Sequence, residues 1–351
     1  PIGNWDTSKV LSMQRMFQGA DVFNQHIGDW NTSGVTTMYR MFNFATAFNR
    51  PIGNWNVKNV SNMAEMFDDT PALSNANKGL IHSSFSSNPN WPYSSWSAHV
   101  PAPASLTNAN FQTAINLWFS DEANATATYG HIRDWNVSAV TDMSNAFMNR
   151  TTFDENISGW DVSNVTNMSA MFYNAQSFNQ PIGDWNVSAV ADMNVMFNEA
   201  ASFNQPLGGW NTSSVTKMDY MFRQASSFDQ PLGDWNTSSV TKMQNMFSGA
   251  ASFNGLIGTW NVSAVTDMSA MFSHADSFNQ PIGGWDVSAV TSMQAIFHGA
   301  ASFNQDIGDW NTSSVAAMNR IFASALSFDQ DVGNWNVSAV TNMVAMFDDT
   351  P

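Results

Sequence analysis

The sequence predicts an α/β fold, a solenoid of 25-residue coils in which each coil holds one strand and one helix and the strands form a parallel sheet on one face. Two observations predict it. Tryptophan recurs every 25 residues, and the apolar residues within each period change from alternate positions to a spacing of three and four. A fixed period of this length is typical of stacked units that bury a shared core between neighbours. The tryptophans of the series are Trp5, Trp30, Trp55, Trp135, Trp160, Trp185, Trp210, Trp235, Trp260, Trp285, Trp310 and Trp335.

The strand of each coil is predicted at the tryptophan. In one repeat, Trp260 and Val262 alternate with Asn261 and Ser263, and a period of two indicates a short strand with one buried face. The strands of stacked coils would then lie about 4.8 Å apart in a parallel sheet.

The helix is predicted directly after the strand, because apolar residues at spacings of three and four form one stripe on a helix. In the same repeat the stripe consists of Val265, Met268, Met271, Phe272 and Ala275. The segment 278–283 predicts the return to the next strand, since its proline lacks an amide donor and its glycine accepts unusual backbone angles.

Four apolar positions are the same in all twelve copies of the repeat, and Trp5, Val10, Met13 and Phe17 occupy them in the first copy. We expect these side chains to interlock into one continuous core, because each large apolar side chain contributes about 1.5–3 kcal/mol when buried. A column of methionines resembles a soft-metal site, but methionine among tryptophan and phenylalanine is typical of core filling.

The motif Asn261-Val262-Ser263, followed by Val265-Thr266-Asp267-Met268 and Met271-Phe272, resembles the repeat of the BspA-type leucine-rich-repeat surface proteins. The resemblance covers most of the chain. It implies a right-handed leucine-rich-repeat-like solenoid in a secreted or surface-anchored bacterial protein that is linked to adhesion, and it brings no catalytic residues.

The repeats predict two modules separated by an irregular segment. Residues 1–71 would be the last three repeats of a first solenoid module, 72–98 its C-terminal cap, 99–104 a Pro/Ala linker, 105–131 the N-terminal helical cap of a second module, and 132–351 a nine-repeat solenoid truncated before its own cap.

Within the irregular segment, helices are expected at 76–81 and, capped by Thr107 or Asn108, along 111–119. The string at 66–71, Met-Phe-Asp-Asp-Thr-Pro, recurs at 346–351. We therefore expect the chain to be a segment of a longer tandem array.

Composition limits the classes of function. The chain has no cysteine and a formal net charge of −16, so disulfides are not expected. It has no apolar run long enough to cross a bilayer, so membrane insertion is not expected either. Nucleic acid is also an unexpected partner, because no basic stripe is present to release counterions.

One polar position, directly after the tryptophan, is always asparagine or aspartate. As the outward position of the predicted strand, this row is a candidate binding site for a glycan or a protein on a concave strand face. Alternatively, its side chains form an amide ladder that stabilises the sheet. In the second module the row consists of Asn136, Asp161, Asn186, Asn211, Asn236, Asn261, Asp286, Asn311 and Asn336.

Acidic residues just before the tryptophan could approach the asparagine or aspartate that follows the tryptophan of the next coil, which suggests a possible calcium site. These residues are Asp29, Asp134, Asp184, Asp234 and Asp309. The sequence has no twelve-residue calcium loop, so solvated surface acids are favoured and no cofactor is expected.

Catalysis is not expected either. The six histidines are scattered without an evident metal-ligand spacing. The neighbouring carboxylates Asp121 and Glu122 close a predicted helix, which favours an exposed pair over a general acid and base. The chain is therefore predicted not to be an enzyme.

These observations favour a structural and adhesive cell-surface protein, extracellular and bacterial, whose rigid tandem modules form part of a long appendage. Near-identical repeated units suit reach and multivalency. The expected partners are a protein or glycan on a target surface and, in a homo-oligomeric appendage, neighbouring copies of the same chain. The alternative is a recognition module that binds a glycan or protein on its concave strand face.

Overall fold

The computed structural model describes residues 2–100 and 105–351. Most of the predicted linker at 99–104 therefore lies outside the described residues. The chain forms two compact units, one from residues 2–100 and 120–130 and the other from residues 105–119 and 131–351. The helices are α1 (Asn75–Phe85), α2 (Phe111–Ser120) and α3 (Glu122–Tyr129), with 3₁₀ helices at Ser94–His99 and Ile132–Asp134.

The predicted strand-and-helix coil is wrong. All helices of the described residues lie between residues 75 and 134, so none occupies the Met-Phe segment of a repeat. The described repeats contain no strand, and neighbouring repeats share only isolated parallel bridges such as Asp267 with Ser292. The fold is a stack of turn-rich repeats and not an α/β solenoid with a parallel sheet.

The alternation that predicted the strand comes from a turn. The N–H of Val265 donates to the carbonyl of Val262 at 2.9 Å, and Asn261 Oδ1 accepts the N–H of Ser263 at 3.1 Å. The turn buries Val262 and exposes Asn261, which is the same alternation that a half-buried strand produces.

The apolar spacing that predicted the helix comes from consecutive turns. Ala270 and His274 both have a left-handed backbone, each with φ of 54°, and a right-handed helix cannot contain such residues. Met271 donates its N–H to Met268 O within the repeat at 3.1 Å, whereas Ala270 donates to Gln294 O of the next repeat at 2.8 Å. Turns within a repeat therefore alternate with bonds between repeats.

Backbone hydrogen bonds of fixed register hold the stack together. The N–H groups of Met268, Ala270, Phe272 and His274 each donate to a carbonyl of the next repeat, over 2.7–3.1 Å. This arrangement satisfies backbone groups inside the stack without a continuous strand.

The indole of the tryptophan makes a second bond between repeats, to a carbonyl of the preceding repeat. Trp260 Nε1 donates to Leu232 O at 2.8 Å. Trp185 is an exception, because its buried Nε1 has no hydrogen-bond partner among the described residues. The indole bond to the preceding repeat that Trp260 makes is also made by Trp30, Trp55, Trp160, Trp210, Trp235, Trp285, Trp310 and Trp335.

The predicted aromatic core is confirmed. Phe222 is fully buried, and its ring lies 5.5 Å from that of Phe197 in the preceding repeat and 5.6 Å from that of Phe247 in the following repeat. It also stacks at 4.1 Å on Phe228 of its own repeat. Stacked indoles lie 6.1–6.3 Å apart, wider than the about 4.8 Å between paired strands. The methionines of the inner repeats are buried among these rings.

The last repeat of the first unit is covered by residues 72–99, which we call the aromatic cap. Its helix α1 begins after Ser74, whose Oγ accepts the N–H of Asn77 at 3.2 Å. Ile81 and Phe85 of α1 are buried, as is Trp96 of the following 3₁₀ helix. The helix predicted at 76–81 is confirmed within a longer one.

In the second unit, α2 lies beside the first repeat. Phe111, Ile115 and Trp118 are buried on one side of this helix, as the apolar spacing predicts. Asn108, one of the two predicted capping residues, bonds to the repeat through its side chain. It donates to Thr141 Oγ1 at 2.7 Å and accepts the N–H of Thr141 at 2.8 Å.

Candidate binding surfaces on the repeats

The nine asparagines and aspartates that follow the tryptophans of the second unit form the Asx row. All nine are exposed. Each side chain accepts the N–H of the residue two positions later, over 3.0–3.2 Å, and so closes its own turn. The row therefore lies on turns and not on a strand, and its Oδ1 atoms are already engaged.

The aspartates of the row show that a carboxylate fits the same turn. The Ser163 hydroxyl, followed by its backbone N–H, lowers the pKa of Asp161 below the ordinary value of 3.8. Ser288 lowers the pKa of Asp286 in the same way. The asparagine members carry an amide in place of one carboxylate oxygen, and their Nδ2 groups have no hydrogen-bond partner within the described residues. The row thus offers unused amide donors at its surface.

A side-chain ladder does link the repeats, but at a different position from the one proposed for it. Asn204 Oδ1 accepts the N–H of Asp229 at 3.0 Å and Nε2 of Gln230 at 2.9 Å. The N–H of Asn204 donates in turn to Asn179 Oδ1 at 3.0 Å. The acceptors of this Asx-Gln ladder are Asn24, Asn49, Asp154, Asn179, Asn204, Asp229, Asn254, Asn279 and Asn304.

The sequence signal for this ladder is the recurring Phe-Asx-Gln triplet, as at 203–205 and 278–280. By itself this triplet predicts only a loop, because nothing in one repeat shows that the asparagine side chain accepts hydrogen bonds from the next repeat. A structural role, not a binding role, follows from the bonds it makes.

The acidic residues proposed for calcium are not in consecutive repeats of the second unit. Asp184 and Asp234 are separated by a repeat with Gly209 at the same position. No three His, Cys, Asp or Glu side chains in the described parts of the chain are grouped so as to hold a metal ion. Asp121 and Glu122 are exposed, and Asp121 caps α3 by accepting the N–H of Asn124 at 3.1 Å.

Two histidines of neighbouring repeats meet in the second unit. The ring centroids of His274 and His298 lie 4.7 Å apart. Gly299 makes room for this contact, since a Cβ there would lie 2.4 Å from His274 Nδ1. Burial, and then the nearby charges of His274 and Arg320, lower the pKa of His298. The repeat period could have revealed this pair, which the wide sequence spacing concealed.

An open groove of ≈ 540 Å³ lies between α2 and the first repeat of the second unit. Its lining includes Asn108, Asn116 and Arg150. The Arg150 guanidinium lies 4.2 Å from the ring centroid of Phe119 and donates to Asn116 Oδ1 at 3.2 Å. This groove is not repeated along the stack, so it differs in kind from the Asx row.

The repeat pattern identifies the family. Residues 1–89, 113–231, 205–301 and 278–351 each match the family described as "Mycoplasma protein of unknown function, DUF285". The chain belongs to this family. Four matches along the chain, of which the last three overlap in series, establish a tandem-repeat protein, while the family description states no activity. No curated protein and no solved structure matches the chain. The described helices include none that is long and apolar enough to span a membrane.

Proposed function

We propose that the chain is part of a structural and adhesive bacterial cell-surface protein, in which tandem modules of stacked repeats form a long extracellular appendage. The resemblance of the repeat motif to the BspA-type surface proteins supports this proposal. So does the bonding between repeats, which continues through backbone, indole and Asx-Gln ladder contacts.

The bonding between repeats is the observation that carries the proposal. Each repeat contacts its neighbours through the same bonds, so the stack can be lengthened without new contacts. A net charge of −16 opposes nonspecific aggregation of such chains. These are properties of a spacer that presents repeated surfaces. No catalytic role is part of the proposal.

The partners we propose are a protein or glycan on a target surface and, in an appendage, neighbouring copies of the chain. A repeated surface binds weakly at each unit and strongly in total when several units engage at once. Adhesion should therefore depend steeply on the density of the chain.

The test combines location with adhesion. Antibodies against the full chain are expected to label intact cells of the source organism, and beads coated with the chain should adhere to target cells with a steep dependence on coating density. Beads coated with the heat-unfolded chain are the control. Labelling only after permeabilisation, together with equal adhesion by both kinds of bead, would exclude the proposal.

A recognition module is the second candidate, and the free amide donors of the Asx row favour it. Changing Asn186, Asn211, Asn236 and Asn261 together to aspartate keeps the Oδ1 acceptor of each turn, as Asp161 and Asp286 do, and removes four amide groups.

If the row binds a glycan or protein, this variant should lose about tenfold or more in affinity, since hydrogen bonds to the amide groups are lost. A matched control carries four Asn→Asp or Gln→Glu changes at exposed positions off the row, such as Gln294→Glu. Equal binding by both variants would exclude the row as the recognition site.

A further inference from the structure

Peptide groups of the Met-Phe segment point in one direction along the stack. The peptide group that joins Asn167 to Met168 accepts the N–H of Met143 in the preceding repeat at 2.9 Å. Its own N–H donates to Asp192 O of the following repeat, also at 2.9 Å. Three further peptide groups between residues 169 and 174 bond in the same two directions over 2.8–3.0 Å. Peptide dipoles aligned in this way add up, as they do in a helix, so the side of the stack that presents carbonyls carries partial negative charge.

The first repeat of the second unit has four such carbonyls with no repeat before them. They belong to Asp142, Ser144, Ala146 and Met148, and we call them the carbonyl row. Among the described residues none donates a hydrogen bond to the row. The equivalent carbonyls of the next repeat all accept an N–H. The row is therefore an edge of unused hydrogen-bond acceptors.

The carbonyl row lies in the open groove beside α2, and we call this space of ≈ 540 Å³ the carbonyl groove. Helix α2 covers the aromatic columns of the stack, since the ring centroids of Phe111 and Trp160 are 5.9 Å apart and those of Phe119 and Phe153 are 5.7 Å apart. Its backbone N–H groups bond within the helix. The helix thus closes the core and leaves the row open to a ligand.

The charged side chains of the carbonyl groove favour a cation. Asp142 is exposed, and its Oδ1 accepts the N–H of Ser144 at 2.9 Å, which leaves its second oxygen without a donor among the described residues. Arg150 is the one cation in the described lining. Its guanidinium is already held on the ring of Phe119 and on Asn116 Oδ1. The carboxylate therefore adds to the negative charge of the aligned peptide groups.

The carbonyl row also favours ligands that carry donors without acceptors. A β-strand presents N–H and C=O groups alternately along its edge, so its carbonyls would meet the negative side of the stacked dipoles. Lysine and arginine side chains carry donors only, and they are positively charged. The net charge of −16 attracts cations to the whole chain. Basic side chains are thus the donors that fit the row.

The amides of the carbonyl groove favour a peptide over a simple amine. Gln112, Asn116 and Asn145 are exposed in its lining. Each amide has both a donor and an acceptor. A peptide backbone pairs with both, whereas an aliphatic amine cation has donors alone.

We propose that the carbonyl groove binds an extended basic peptide segment of a partner protein. Lysine or arginine side chains of the segment donate to the carbonyl row and to the Asp142 carboxylate, and its backbone bonds to the amides of Gln112, Asn116 and Asn145. This site is distinct from the Asx row, and binding there does not depend on the adhesive function.

The test uses the full chain and a tetralysine peptide that is acetylated and amidated at its ends. Calorimetric titration at about 0.15 M salt measures affinity where long-range attraction is screened. Carbonyl ¹³C NMR of the same mixture shows where the peptide binds. The resonances of the carbonyl row are expected to shift, whereas the equivalent carbonyls at 167, 169, 171 and 173, which already accept an N–H, should stay in place.

A first pair of variants fills the groove with a tethered cation. Asn145 and Asn245 occupy the same repeat position with a left-handed backbone, φ 59° and 55°, and Arg40 and Arg320 show that arginine adopts the same conformation there. Asn145→Arg places a guanidinium beside the carbonyl row and should weaken tetralysine binding on the order of tenfold, because it competes for the same acceptors. Asn245→Arg adds the same charge away from the groove and should weaken binding less than about threefold.

A second pair of variants removes one carboxylate. Asp142→Asn and Asp267→Asn make the same charge change at the same repeat position. Both keep the turn acceptor, since Asn167 at this position accepts the N–H of Ser169 at 3.0 Å. Asp142→Asn should weaken binding on the order of fivefold through loss of a charge-assisted bond, and Asp267→Asn less than about twofold.

Equal weakening within each pair would overturn the proposal, because it would show unspecific attraction to an acidic chain. Tetralysine binding that leaves the resonances of the carbonyl row unmoved would overturn it as well. Spermine carries the same four positive charges without a peptide backbone, and it should bind on the order of tenfold more weakly because it cannot use both groups of the amides. Equal affinity for spermine would show that a simple amine occupies the groove, and a peptide ligand would then be excluded.

Discussion

Replacing one ring of the aromatic stack tests whether packing between repeats sets stability. Phe222→Ala removes a fully buried ring from the middle of the stack, and Phe347→Ala removes the equivalent ring from the last repeat of this chain. Both phenylalanines occupy the same position of the repeat, so the comparison keeps the substituted residue and its repeat position the same and changes what packs around the ring.

The structure gives different magnitudes for the two changes. Phe222 lies against Phe197, Phe228, Phe247 and Trp235, with ring centroids 4.1–6.2 Å away. Removing such a ring is expected to lower the free energy of unfolding by about 3–5 kcal/mol, because repeats on both sides keep the cavity open. Phe347 is 48% exposed and stacks on Phe322 alone, at 5.4 Å. Its loss should cost about 1–2 kcal/mol.

Urea denaturation followed by circular dichroism measures the loss in each variant, and hydrogen exchange shows where it falls. Exchange is needed because a long repeat array need not unfold in a single step. We expect Phe222→Ala to increase exchange in the repeats on both sides. Equal losses for the two variants, or a loss below about 1 kcal/mol for Phe222→Ala, would refute the reasoning.

Three further predictions concern single bonds. Trp260→Phe should lower the free energy of unfolding by about 0.5–1.5 kcal/mol, because a buried hydrogen bond between repeats is lost, although Leu232 O still accepts the N–H of Trp235. Trp185→Phe, whose indole N–H has no partner in the described structure, should cost less in the same urea titration. Ser163→Ala should raise the pKa of Asp161 toward 3.8, as measured by NMR. Because the folded-state pKa of the Asp161 carboxyl is lowered, its contribution to stability is present above pH 3.8 and is lost as the pH falls through the folded-state pKa. An unchanged Asp161 titration in Ser163→Ala would count against a hydrogen bond from the Ser163 hydroxyl. Lys217→Ala should cost less than about 1 kcal/mol, since its exposed ion pair with aspartate is screened by salt, and a larger loss that salt does not reduce would contradict this.

The repeat pattern predicted which side chains form the core, but it did not predict the backbone conformation of the repeat. Val262 is buried and Asn261 is exposed, as a strand would place them, yet a turn produces the same alternation. The apolar stripe from Val265 to Ala275 matches a helix in spacing, but Ala270 and His274 hold left-handed backbone. Neither residue is glycine, but Gly249 and Gly299 occupy the position of His274 in the neighbouring repeats with φ of 73° and 68°. Comparing the repeats could therefore have revealed the left-handed backbone at that position.

The sequence predicted the position of the Asx row, but it left open whether the row binds a partner or forms a ladder between repeats. The Asx row is exposed as expected, but its Oδ1 atoms close local turns. The ladder between repeats lies instead at Asn204 and its equivalents, where the acceptor and donor belong to different repeats. The contact of His274 with His298 was missed for the same reason.

By itself the sequence determined the period, the identity of the core residues and the surface that each polar row occupies. The period follows from comparing the repeats. The core residues follow from the pattern within each repeat, because burial of the large apolar side chains dominates its energetics. The tertiary structure alone decided how the backbone bonds, since each repeat satisfies its alternate N–H groups only on the repeat beside it. A pattern within one repeat records which side chains are buried, and the direction of a hydrogen bond is set only when a second repeat lies against the first.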